Sequence, residues 1–187
     1  MTAAAATMDD ADALFASTHN ALRFAFEFSP EQYGEGTLAG LLKRAAGLGS
    51  GKGLVGLDGA AQAGLILAEV WRLPALERHA IIARYGQRRI SCRCCGSLGM
   101  SDEWKLAVEG IAAWAVPTGL SNHRARREIV GRFFTRSGTV KEIAERYGLE
   151  RKRLGEQVAA MEKRIKDLEA RAQSSMDDVL KQTGVVG

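Results

Sequence analysis

TVKEIAERYGLERKRLGEQVAAM, Thr139 to Met161, is the stretch on which the fold turns, and its spacing predicts two helices joined by a tight turn. Val140, Ile143 and Ala144 fall on one helical face, and Tyr147 closes the inner side of the turn. Gly148 stands where the chain must bend, a position at which glycine tolerates positive φ. Leu149 plugs the corner, and Leu154 and Val158 give the second helix an inward face one turn apart. Ala144 is small enough for the two helices to approach closely. Thr139 with Glu142 three residues on makes a capping box that starts the first helix. This is helix-turn-helix spacing.

The second helix opens with Glu150, Arg151, Lys152 and Arg153. In a helix-turn-helix this is the turn that meets the DNA major groove, and adjacent cations suit phosphate and guanine contacts. Thr139 and Lys141 at the start of the first helix, Gln157 further along the second, and Arg124 and Arg127 upstream complete the candidate DNA-binding set. The competing reading is an ordinary helical hairpin with a solvated basic face. Glu150 is a weaker cap than Ser or Thr, and Gly155 costs roughly 1 kcal/mol inside a helix.

Composition supports a local basic footprint. The 187 residues carry a net charge of +4, but residues 121–153 hold ten Lys or Arg against four Glu, so the rest of the chain is net acidic. Such a concentrated balance is expected of a nucleic-acid contact. An apolar content of 46% is enough for a core, and 6% aromatics with three prolines suit an all-α protein. Met1 to Met8 has neither a basic nor an apolar signal region and is expected to be a disordered tail. No apolar run is long enough to span a bilayer, so no membrane partner is expected. Three clustered cysteines argue against a disulfide framework and for a reducing cytoplasm.

Residues 9–46 are expected to form N-terminal helices. The first runs from Asp9 to Phe28, with Asp9, Asp10 and Asp12 opposing its dipole and Leu14, Phe15, Leu22 and Phe26 on its buried side. Ser29 and Pro30 start a second, and Thr37 to Ala46 make a short one. Residues 47–57 form a glycine-rich linker containing GSGKG. A phosphate-binding loop would need Gly at Ala46 and Ser or Thr at Gly53, so nucleotide binding is not expected there. Asp58 caps the next helix, whose apolar residues go most of the way round and predict central burial. Pro74 starts LPALERHAIIARYG, with Leu76, Ala80, Ile81 and Ala83 inward and Gly86 as its stop.

LPALERHAIIARYG resembles the opening helix of DNA-binding region 4 of bacterial sigma factors, and TVKEIAERYGLERKRLGEQVAAMEKRI resembles its helix-turn-helix. Both pieces are similar to the sigma-like modules of late-gene antiterminators of phages. The resemblance implies a helical fold, duplex DNA as partner, RNA polymerase as a possible second partner, and a phage or prophage regulatory role. It covers two short blocks, and Gln87 to Gly138 stand between them where sigma factors have only a few residues. Within that insertion Ser101 caps a helix carrying Trp104, Leu106, Ala107, Ile111 and Trp114 on to Pro117. Ser121 begins another, with Ile129, Val130, Phe133 and Phe134 as core and Arg124, Arg127 and Arg132 outward.

Cys92, Cys94 and Cys95 fall in a basic turn expected between helices. Cys92 and Cys95 have the C-x-x-C spacing that lets two sulfurs face one zinc ion. A full ligand set would need Cys94 or a distant His79 or His123, so no cofactor is expected by default and zinc is the alternative. No acid-base partner motif accompanies a cysteine nucleophile, and no other catalytic constellation is present, so an enzyme is not expected.

Beyond the turn, Leu154, Val158, Met161, Ile165, Leu168 and Ala172 repeat at spacings of 4, 3, 4, 3 and 4, and Met176 and Val179 continue the series, an a/d seam with charged residues outside it. Two readings are open: a homodimer through this C-terminal helix, or a seam packed back on its own chain. The expected organisation is a helical DNA-binding domain over 58–161, an extended helix with coiled-coil character over 162–181, and a frayed tail over 182–187. Sequence-specific DNA binding in transcription is the expected function, with late-gene antitermination its specific form. A helical adaptor using the heptad helix and a small zinc-binding nucleic-acid protein are the alternatives.

Overall fold

The computed structural model describes residues 13–28, 57–92, 94–117 and 119–187. Among these it is an α protein: α1 (Thr18–Glu27), α2 (Leu57–Arg72), α3 (Ala75–Tyr85), β1 (Arg89–Ser91), β2 (Leu98–Met100), α4 (Asp102–Trp114), α5 (His123–Thr135), α6 (Val140–Tyr147) and α7 (Arg151–Gln182). The chain divides into two compact units, Arg72–Ser174 and a discontinuous one made of Met1–Trp71 with Ser175–Gly187. The expected tail over 1–8, the helix at 37–46, the Ser29-Pro30 start and GSGKG lie outside the described residues.

In the discontinuous unit, α1 starts at Thr18, later than its apolar pattern suggests. Ser17 is extended (φ −164°), and its hydroxyl accepts a hydrogen bond from Asn20 N–H at 3.3 Å. The cause lies upstream, where Phe15 bridges Val186 in parallel fashion and donates its N–H to Val185 O at 3.0 Å. A residue held extended cannot continue a helix backwards. Val185 and Val186 are buried, so the expected fraying over 182–187 is corrected. Gly184 (φ +69°) closes α7, with Val185 N–H on Leu180 O at 2.9 Å and Gly184 N–H on Lys181 O at 3.0 Å. These two bonds form the Schellman pair that satisfies the last helical carbonyls. Thr18 donates to Asp177 at 2.6 Å. Asp58 falls within the first turn of α2 and does not precede it as a cap. That helix buries Ala63, Ile66 and Val70 while Leu65 and Trp71 are exposed, a one-sided helix where an all-round buried one is expected from sequence.

In the Arg72–Ser174 unit, α3, α4 and α5 pack in series. Pro74 is the cap of α3, which buries Ala80 to Ala83 and leaves Leu76 only half-covered. Gly86 ends it with φ −64°, so the stop there is not a left-handed glycine. Trp104 Nε1 donates to Ala83 O at 3.1 Å and ties α4 to α3. A Cβ on Gly110 would lie 2.2 Å from His79 Nδ1, so glycine is what allows this approach. His79 Nδ1 is buried without a hydrogen-bond partner among the described residues. Burial, and secondarily the charge of Arg78, lower the His79 pKa below its usual 6.5. Below that value the unfolded chain takes up a proton that the folded chain refuses. Stability is therefore full above 6.5 and is lost as pH falls towards the lower folded pKa. Melting temperatures measured through the acid range should fall less steeply for His79→Gln than for the wild type, and parallel slopes would refute this.

On α4, Leu106 is 65% exposed, while Trp104, Ala107, Val108, Ile111 and Ala112 are buried. Asn122, not Ser121, caps α5 by accepting from Ala125 N–H at 3.1 Å. Phe134 is buried and Phe133 only half-covered.

The seam of α7 is used within the chain. Leu154, Val158, Met161, Ile165, Leu168 and Ala172 are each 4% exposed or less in the Arg72–Ser174 unit. Met176 and Leu180, rather than Val179, continue the buried row in the other unit. Polar ties flank the seam. Arg84 on α3 makes a paired interaction with Glu169, Arg132 on α5 reaches Glu162 at 2.7 Å, and Arg164 donates to Val116 O at 2.9 Å beneath the Trp114 ring. The surface that a homodimer through this helix would use is thus covered by the chain itself. Among the described residues no helix is long and apolar enough to cross a membrane.

Candidate nucleic-acid interface and cysteine hairpin

The α6 to α7 segment is built by local chemistry. Thr139 accepts from Glu142 N–H at 3.2 Å and donates its own N–H to Glu142 at 3.1 Å, completing the capping box. Gly148 is left-handed (φ 61°), and Leu149 N–H reaches Ala144 O at 2.9 Å to close α6 with a Schellman turn. Ile143 and Ala144 are buried beneath. Glu128 on α5 pairs with Arg146 and hydrogen-bonds Tyr147, fixing α6 on its neighbour. Burial, then this carboxylate, raise the Tyr147 pKa, and Arg124 lies close enough to oppose the rise.

Glu150 proves to be a full cap. One carboxylate oxygen accepts from Lys152 N–H and the other from Arg153 N–H, both at 3.0 Å. A carboxylate there also opposes the positive end of the helix dipole. Both of its carboxylate oxygens are thus engaged with the helix backbone. Arg151, Lys152 and Arg153 are exposed, and no carboxylate among the described residues pairs with them. Arg153 lies against the turn at Gly119, where an added Cβ would come 2.9 Å from its guanidinium.

The other candidates separate. Arg124 is exposed and adjoins Tyr147, near the α6–α7 turn. Lys141 is exposed with Glu145 at 3.8 Å, and Thr139 is exposed though occupied in its cap. Arg127 is turned to α4, pairing with Glu109 at 3.4 Å beside His123. Gln157 is only 8% exposed, because its position borders the inward row of Leu154 and Val158.

Two features are not legible in the sequence. Arg126 is buried, donating to Ala112 O at 3.2 Å, Leu120 O at 2.8 Å and Ser121 O at 2.9 Å, so one cation of the basic window is structural. Arg132 and Arg127 take carboxylate partners from outside that window, which lowers its effective charge. The second feature is a shallow cleft of about 370 Å³ beside the α5–α6 loop. Its Arg84 and Arg132 are paired, while Arg136 and Lys166 on its rim have no carboxylate partner among the described residues.

The cysteines lie at the tip of an antiparallel hairpin, Arg89 opposite Met100 and Ser91 opposite Leu98, and not in a turn between helices. Cys92 N–H donates to Ser97 O and Gly96 N–H to Cys92 O, each at 2.8 Å, with Gly96 left-handed (φ 69°). The three sulfurs lie within 4.8 Å of one another, close enough to face one ion. Among the described residues no fourth Cys, His, Asp or Glu joins them, and neither His79 nor His123 does so. The hydrogen bond with Cys94 draws the Cys92 thiol down to about 7 and raises Cys94 in turn, while Ser97 lowers Cys95.

Compared with known proteins, the chain matches no family model and no curated sequence.

Proposed function

We propose that the chain is a duplex-DNA-binding regulator of transcription that reads its site with the N-terminal turn of α7. The observation that carries this is the Glu150-capped turn presenting Arg151, Lys152 and Arg153 without carboxylate partners among the described residues, behind the tight Gly148 turn. Unpaired cations on a rigid helix end lose little entropy and no partner on meeting phosphate. The sigma-like resemblance favours a phage or prophage regulator, with late-gene antitermination as its specific form and RNA polymerase as a second partner. The adaptor alternative draws on the heptad seam of α7, and burial of that seam leaves it without the surface that motivates it. Zinc held by Cys92, Cys94 and Cys95 is the finer reading of the hairpin, with its fourth ligand drawn from outside the thiol cluster, and metal content is its direct measure.

Selection of bound fragments from random duplexes tests the proposal. Binding to the selected site should weaken linearly in log salt with a slope of about −2, since Arg124 and Lys152 neutralise roughly two phosphates at about 0.9 per contact while Arg151 and Arg153 meet base edges. A slope near zero, or no enrichment at low salt, would exclude DNA as the ligand.

A further inference from the structure

Cys92 and Cys94 meet sulfur to sulfur at 2.8 Å on the hairpin tip, Cys94 exposed and Cys92 half-covered. Backbone hydrogen bonds from Cys92 to Ser97 and from Gly96 to Cys92 close the hairpin tip around Cys94, and all three sulfurs lie within 4.8 Å of one another. Cys95 is engaged elsewhere, its sulfur 3.0 Å from the Ser97 hydroxyl. We infer that Cys92 and Cys94 form a dithiol that small hydroperoxides oxidise to an intramolecular disulfide. Buried structural cysteines are inert towards such oxidants, whereas accessible ones with a second thiol in reach are the reactive class.

The chemistry balances within the pair and its oxidant. The thiolate of one cysteine attacks an oxygen of the hydroperoxide. The O–O bond breaks, the leaving oxygen takes a proton to become an alcohol or water, and a sulfenic acid is left on sulfur. The second cysteine then attacks that sulfur, an S–S bond forms, and the hydroxyl departs as water with the second thiol's proton. Two thiols are oxidised by two electrons and one hydroperoxide is reduced. A disulfide spanning a single intervening residue closes a small ring in the open, which places it among the readily reduced, reversible bonds. Disulfide and metal exclude each other here, since oxidation removes two of the three sulfur donors.

The test treats the chelator-washed full chain with hydrogen peroxide, then alkylates the remaining thiols and measures mass. Alkylation should drop from three sites per chain to one, return to three after dithiothreitol, and leave a Cys92–Cys94 link on peptide mapping. Cys95→Ser should form the same link, whereas Cys94→Ser should not yield it. Far-UV circular dichroism should be unchanged, because the tip is exposed. Three alkylatable thiols after peroxide sufficient to oxidise glutathione, or a link that maps to Cys95 or joins separate chains, would overturn the assignment.

Discussion

Lysine at both Ile165 and Leu168 is expected to unfold the Arg72–Ser174 unit, and not to release a folded monomer from a dimer. The two side chains are 0% and 1% exposed within a single chain. Each substitution forfeits roughly 1.5–3 kcal/mol of apolar burial. Each also sets an ammonium into the interior at an effective cost of several kcal/mol more. Against a total stability on the order of 5–15 kcal/mol, the pair of changes leaves no folded state to populate. Loss of helical circular dichroism and of the thermal transition is the measurement. Lysine at the exposed Ala159 and Ala160 of the same helix is the control, with each change expected to stay within about 0.5 kcal/mol. Should the seam variant keep its helicity and merely halve its mass, Ile165 and Leu168 belong to a subunit interface.

Alanine at both Arg151 and Arg153 is expected to do the reverse, sparing the fold and removing site-specific binding. Both side chains are exposed, and the Glu150 cap uses only backbone N–H groups, so the turn keeps its geometry without them. Removing either arginine from a base edge should cost roughly 1–3 kcal/mol, and removing both should weaken the selected site about a hundredfold or more. Gln157→Ala provides the contrast, since a nearly buried amide should show its effect in melting temperature before affinity. Titration of the selected duplex against both variants measures this directly. Equal affinity for the double variant and the wild type would mean that another surface reads the DNA.

The parts of the molecule legible in sequence are those decided within a few residues. Thr139, Glu142 and Gly148 set the ends of α6 by bonds spanning three to five positions, and the seam of α7 follows from period alone. What the sequence hides depends on distant partners. Nothing in RARRE distinguishes Arg126 from Arg124 and Arg127; the difference is that Ala112, Leu120 and Ser121 bring three free carbonyls to it. The hairpin strands are three residues each and almost wholly exposed, so no alternation of apolar and polar residues announces them. The closing segment reads as frayed because Phe15, its partner, stands at the other end of the chain. Gly184 is the one local sign that α7 ends in an ordered turn. Glu150 reads as a weak cap because intrinsic preference says nothing of a side chain long enough to serve two N–H groups at once.

The discontinuous unit also fixes an order of events during synthesis. Arg72–Ser174 is continuous, so its contacts can close while the chain is still emerging, as domains completed early on the ribosome do. The other unit cannot. Thr18 waits for Asp177, which lies 159 residues later, and Phe15 waits for Val185 and Val186. Its buried apolar residues, Leu22, Phe24 and Phe26 among them, belong to a unit that is complete only once residues 175–187 have been added. Residues 175–187 act as a latch in time as well as in space: until they are made, Phe15 and Thr18 lack the partners that hold them.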